Sequence, residues 1–156
     1  MAAPTMSHLI ATSALIILIF TMQVFYFYVV DNIGEEMTRR ELKEIADYVA
    51  DTVANLYFLV NSTNHSNVTL QKTLSLPTEI ADSSYRIQIL NDTDGFAQSV
   101  LAFLEDKSWL NANSWIPPGL TVKPEWVDQP ILINESTILA GCWSFSGNTY
   151  VWLAYE

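Results

Sequence analysis

From Leu9 to Val30 the chain runs for twenty-two residues with no ionisable side chain except the phenols of Tyr26 and Tyr28. As a helix rising 1.5 Å per residue, that run spans roughly 33 Å, about the hydrocarbon thickness of a bilayer. Its few polar residues, Thr12, Ser13, Thr21 and Gln23, do not form the polar face that a water-exposed helix needs. The pattern predicts a membrane-spanning helix over residues 9–30, preceded by a short leader over residues 1–8. A cleaved secretory signal calls for a basic start, a shorter apolar core and small residues at the cut. No Lys or Arg precedes this run, and Tyr26, Phe27, Tyr28, Val29 and Val30 close it with bulk. The helix is therefore expected to stay as an anchor.

After Val30 the period remains helical while the character changes. Ile33, Met37, Leu42, Ile45, Tyr48, Val49, Val53, Leu56, Tyr57 and Val60 recur at three- and four-residue steps, with Glu35, Glu36, Arg39, Arg40, Glu41, Lys43, Glu44, Asp47 and Asp51 between them. This predicts an amphipathic helix over residues 31–60 with one apolar stripe. No proline falls between Leu9 and Val60, and Gly34 is the single glycine, so one helix from about His8 to Val60 is expected, with a possible bend at Gly34.

Beyond the polar tract at 61–69 the period becomes two. Strands are expected at Val68–Leu74, Tyr85–Leu90, Phe96–Phe103, Gly119–Val122, Pro130–Ile133, Ser136–Ser146 and Thr149–Tyr155, with Gly147-Asn148 as a hairpin turn. Residues 105–126, broken by Ser108, Asn111, Asn113, Pro117-Pro118-Gly119 and Pro124, read as loops with one short helix or strand. The expected fold is α+β: a long N-terminal helix packed on a C-terminal antiparallel β-sandwich-like domain over residues 61–156.

Five tripeptides fit the N-glycosylation acceptor N-x-[ST], beginning at Asn61, Asn64, Asn67, Asn91 and Asn134. Ten asparagines in this composition would give roughly two such matches by chance, and three of the five stand in tandem in one polar tract. Lys and Arg fall on the C-terminal side of the apolar run, which by the positive-inside rule alone favours a cytoplasmic domain. The sequons argue the reverse, because the sugar is transferred outside the cytoplasm, so the β-rich part is expected to be extracellular and to carry N-linked glycans.

The chain holds 17 acidic and 7 basic residues, and from Asn61 onward 10 against 4. That balance disfavours nucleic acid and anionic lipid surfaces as partners. One cysteine, Cys142, excludes an intramolecular disulfide, and its expected role is that of a small buried hydrophobe. His8 and His65 lie too far apart in context to share a metal. Asp92-Thr93-Asp94-Gly95 has the look of a calcium loop, but the twelve-residue frame would put Leu90 and Leu101 at ligand positions, so a turn is the better reading. No phosphate-binding glycine loop and no Gly-x-Ser-x-Gly turn occurs. No catalytic residue, cofactor or metal is expected. Of the five tryptophans, Trp109 and Trp115 stand in the polar middle and are the candidates for a surface contact; Trp126, Trp143 and Trp152 are expected in the core or in a protein contact.

The sequence of parts, Leu9–Val30, Asn32–Val60 and Val68–Glu156, resembles that of the archaeal type IV pilin-like and archaellin-like surface proteins, and LPTEIADSSYRIQIL at 76–90 looks like the segment that follows the helix in archaeal anchored proteins of this kind. The leader lacks the charged residue before the cut that this family's peptidase reads. The resemblance implies a non-enzymatic structural subunit of a cell-surface filament. Leu9, Ile16, Phe20, Val24 and Phe27 would then pack in a core of helices, with Thr12, Ser13, Thr21 and Gln23 available for bonds between helices and glycosylated β domains outside. Its partners would be further copies of itself through the N-terminal helix, or other envelope proteins, and the membrane. The alternative is a single-pass, membrane-anchored extracellular accessory or binding subunit of an envelope complex that does not polymerise.

Overall fold

The computed structural model describes residues 3–63, 67–92, 96–122, 131–133, 137–145 and 147–155. It is an α+β chain. Helix α1 runs Ala3–Ser62, so residues 3–8, expected as a leader, are already helical, and Gly34 lies within the helix. Pro4 sits in the first turn, where its missing N–H costs no hydrogen bond. At the other end two of the carbonyls left without helical partners accept from hydroxyls of the first sequon: Ser62 Oγ donates to Leu59 O at 2.8 Å and Thr63 Oγ1 to Val60 O at 2.7 Å.

The chain divides into two compact units, Met1–Met37 and Thr38–Glu156. The second therefore takes in the last part of α1 together with all the strands. Within it Leu42, Ile45, Ala46, Val49, Ala50, Val53, Leu56 and Val60 are buried, at the three- and four-residue steps that keep one helix face inward. Ile33 and Met37 continue that stripe in sequence but are exposed, so burial of the stripe starts only after residue 37.

Among the described residues eight strands follow: β1 (Thr69–Leu74), β2 (Tyr85–Asn91), β3 (Ala97–Leu104), β4 (Asn111–Trp115), β5 (Leu120–Val122), β6 (Ile131–Ile133), β7 (Ile138–Phe145) and β8 (Asn148–Tyr155). They form two four-stranded sheets of order β1-β7-β8-β5 and β4-β3-β2-β6. Pairing is antiparallel except between β5 and β8, which run parallel. A bridge from Phe96 to Thr121 ties the residue before β3 to β5 and so links the two sheets. Strict alternation marks β2, where Tyr85, Ile87 and Ile89 are buried and Arg86, Gln88 and Leu90 lie between them on the other face.

The buried stripe of the helix and the inward residues of both sheets form one hydrophobic cluster, which includes Tyr85, Ile87, Val100, Leu120, Cys142 and Val151. The helix is tied to the sheets by specific contacts as well. Lys43 Nζ donates to Asn113 O at 2.9 Å, and the Lys72 ammonium lies 5.7 Å from the centroid of the Tyr48 ring. Gly119 has φ 98, and a Cβ there would meet the Tyr57 hydroxyl at 3.2 Å, so both the turn and the close approach of the helix call for glycine. The fully buried Tyr85 keeps its hydroxyl satisfied by donating to Pro77 O at 2.6 Å.

Candidate assembly surface, sequons and surface aromatics

The unit Met1–Met37 carries the apolar run. At 100° per residue, Leu9, Ile16, Phe20, Val24 and Phe27 fall within a stripe about 80° wide. They are between 53% and 69% exposed, and so are Ile10, Leu15, Ile17 and Phe25 on other faces. No part of the most apolar window is buried, and the helix is long and apolar enough to span a membrane. Its Thr and Ser hydroxyls are satisfied within the helix. Thr12 Oγ1 donates to the carbonyls of His8 and Leu9, Ser13 Oγ to Leu9 O, and Thr21 Oγ1 to those of Ile17 and Leu18, at 2.8–3.0 Å. Such back-bonding hides a hydroxyl within its own helix and leaves the surface fit for hydrocarbon.

The sequons meet different fates. Asn61 is exposed in the last turn of α1. Asn67 is exposed just ahead of β1, with φ 73, in the left-handed region that asparagine tolerates better than most residues. Asn91 closes β2 beside a register shift, half-buried, with its Oδ1 enclosed and without a hydrogen-bond partner among the described residues. Asn64 and Asn134 lie outside the described residues, as do Trp126, His65 and part of the proposed calcium turn.

Trp109 and Trp115 are exposed, at 59% and 69%. They do not form one patch. Trp109 precedes β4 and Trp115 ends it, so the strand holds them on the order of 13 Å or more apart. Trp115 instead lines a groove of about 510 Å³ with Phe96, Gln98, Ile116 and Pro118. A second cavity, of about 450 Å³, lies between the helix and the segment after β1, with Ile45, Leu76 and Ile80 as apolar walls and Glu41, Glu44 and Glu79 among its polar ones.

Trp143 and Trp152, expected in the core or a contact, belong to an aromatic ladder on the outward face of the first sheet. Trp143 stacks on Phe145 with ring centroids 5.3 Å apart and leans on Tyr150 at 5.5 Å, while the Trp152 indole covers Gly141. The signal for this ladder was the period of two, which puts Trp143 with Phe145 and Tyr150 with Trp152 on common strand faces.

Among the described residues, Cys142, Tyr85 and Asp47 are the ionisable groups whose surroundings clearly shift their titration. Burial pushes the Cys142 thiol up to about 12, which makes it a poor nucleophile. Burial also raises the Tyr85 phenol. For Asp47, burial works to raise the carboxyl, but hydrogen bonds from Lys43 and Ser114 and the Lys43 charge outweigh it and hold the group below its usual range. Among the described residues no three His, Cys, Asp or Glu side chains are grouped to hold a metal ion. Comparison of the chain with protein-family models, with curated proteins and with solved structures finds no match, so the reading of this surface rests on its own chemistry.

Proposed function

We propose that this chain is a non-enzymatic structural subunit of a cell-surface, pilus-like filament of the archaeal type IV pilin kind, with its β domain extracellular and glycosylated. One observation carries the reading. A helix segment apolar on every face and buried nowhere is continuous with a segment whose inward stripe is part of the core of a β domain. Lipid covers such a segment in a membrane-held subunit, and the equivalent helices of neighbouring copies cover it in a filament.

Electron microscopy of material sheared from producing cells, with mass spectrometry of its N-terminus, tests the reading. Helical filaments built of this chain, with a helical core, are the expected result. Retention of the whole chain in the membrane fraction, with no filaments, overturns it. That outcome favours the second reading, a single-pass anchored accessory subunit, for which the support is that Thr12, Ser13 and Thr21 satisfy their hydroxyls inside one helix and need no neighbour.

A further inference from the structure

We propose that the aromatic ladder of the first sheet is a docking platform for this chain's own N-linked glycan, carried on Asn67. The inference rests on the extracellular placement in the functional reading above. Its basis is the register. β1 and β7 pair antiparallel through Thr69 and Trp143, and Ser144 N–H donates to Val68 O at 2.9 Å one residue further out. Asn67 precedes Val68 just outside β1, with its left-handed φ of 73, and Phe145 follows Ser144, so that bond brings both to the same end of the β1–β7 pair. A sugar on Asn67 therefore starts at the Phe145 end of the Phe145–Trp143–Tyr150 stack.

The face suits a saccharide. Thr69, Gln71, Trp143, Phe145, Tyr150 and Trp152 fall on one side of the sheet by register and by alternation with the buried Ala140, Cys142, Val151 and Leu153. None of them carries a charge at neutral pH, in a chain of net charge −10. A sugar ring presents C–H groups on its faces and hydroxyls on its rim. The aromatic rings offer the faces a partner, and the Thr69 and Gln71 side chains can bond the rim. Phe145 is 50% exposed, an apolar ring that nothing among the described residues covers on its free side. The left-handed φ of Asn67 would by itself explain an asparagine there, but it explains neither the threonine two residues on nor the ring stack beside it.

The test uses the full-length chain produced in cells that transfer N-linked glycans, solubilised in detergent. Glycopeptide mass spectrometry reads occupancy at Asn61 and Asn67, and NMR of the isotope-labelled glycan reads ring-current shifts of the innermost sugar protons. Upfield-shifted protons on the Asn67 sugar, restored to ordinary positions by Phe145→Ser and absent from the Asn61 sugar, are expected. The wild-type shift stands as evidence even if the variant folds poorly. An occupied Asn67 with unshifted protons overturns the platform and leaves the extracellular reading intact, as does an occupied Asn61 with Asn67 bare. Both sites bare in cells that export the chain removes the extracellular glycoprotein reading itself, and this inference with it.

Discussion

Trp152 lies across Gly141: a Cβ on residue 141 would come within 2.2 Å of the indole Cε2 and Cζ2 atoms. Glycine is a poor strand residue, and an aromatic ring from the neighbouring strand compensates by covering the bare backbone. The two residues are directly paired between β7 and β8. Gly141→Ala must displace the indole or bend the strand, and overpacking of this kind costs about 1–3 kcal/mol. The urea midpoint of the β domain, followed by tryptophan fluorescence on the full chain in detergent, is expected to fall accordingly. An unchanged midpoint would mean that the ring swings away freely and that the covering contact contributes nothing.

Ala81 and Asp82 both have positive φ, 49 and 58, in a two-residue turn closed by Ile80 N–H to Ser83 O at 3.0 Å and Ser83 N–H to Ile80 O at 2.9 Å. Two left-handed residues in such a turn are the pattern that favours Asn-Gly. Neither residue here has glycine's freedom, and holding an L-residue in that region costs about 1–2 kcal/mol. Asp82→Gly is therefore expected to stabilise the domain, by about 1 kcal/mol after glycine's larger unfolded-state entropy is offset. A lowered urea midpoint would refute the strain.

The Cys142 thiol is fully buried on the inward face of β7. With its pKa pushed up to about 12, the thiolate fraction at pH 8 is on the order of one in ten thousand. Alkylation by iodoacetamide at that pH is expected to be negligible in the native chain and prompt in urea. The linkage has a definite sign. The folded thiol holds its proton above the pH at which the unfolded one, near 9, releases it. The stability that Cys142 contributes is thus complete below about pH 9 and is lost as pH rises toward 12. Cys142→Ala should flatten that part of the pH profile. Rapid native labelling at pH 8 would contradict the burial.

The helix and most strands were legible because their periods are clean: β2 alternates from Tyr85 through Leu90, and the helix stripe keeps its three- and four-residue steps to Val60. β4 was not. Its Asn111-Ala112-Asn113-Ser114-Trp115 has no β-branched residue and only one aromatic, at its end, and it is extended because its backbone completes the ladder of β3, from Phe103 opposite Asn111 to Ser99 opposite Trp115. Missing that strand also hid the separation of Trp109 from Trp115. The hairpin turn falls one residue earlier than Gly147-Asn148, because Asn148 already pairs with Phe145 and Gly147 has φ 87. The parallel pairing of β5 with β8 joins segments far apart in sequence, and pairing partners are not written in either segment alone.

Phe20 stands at the middle of the apolar run and is exposed, with none of the surrounding window buried in the protein. Its substitution therefore separates the membrane role of the helix from the stability of the β domain. An arginine near the centre of a spanning helix raises the insertion free energy by about 2.5–3.5 kcal/mol. Phe20→Arg is expected to lower the fraction of chain resistant to carbonate extraction and to abolish any shed filaments, while the urea midpoint of the β domain stays where it was. Phe58→Arg is the matched control: the same change on the same helix, at an exposed position within the domain unit, beyond the apolar run. It is expected to leave membrane retention intact. Equal retention of both variants would show that the apolar run does not hold the chain in a bilayer. A domain midpoint lowered by Phe20→Arg would show instead that residues 9–30 contribute to the core.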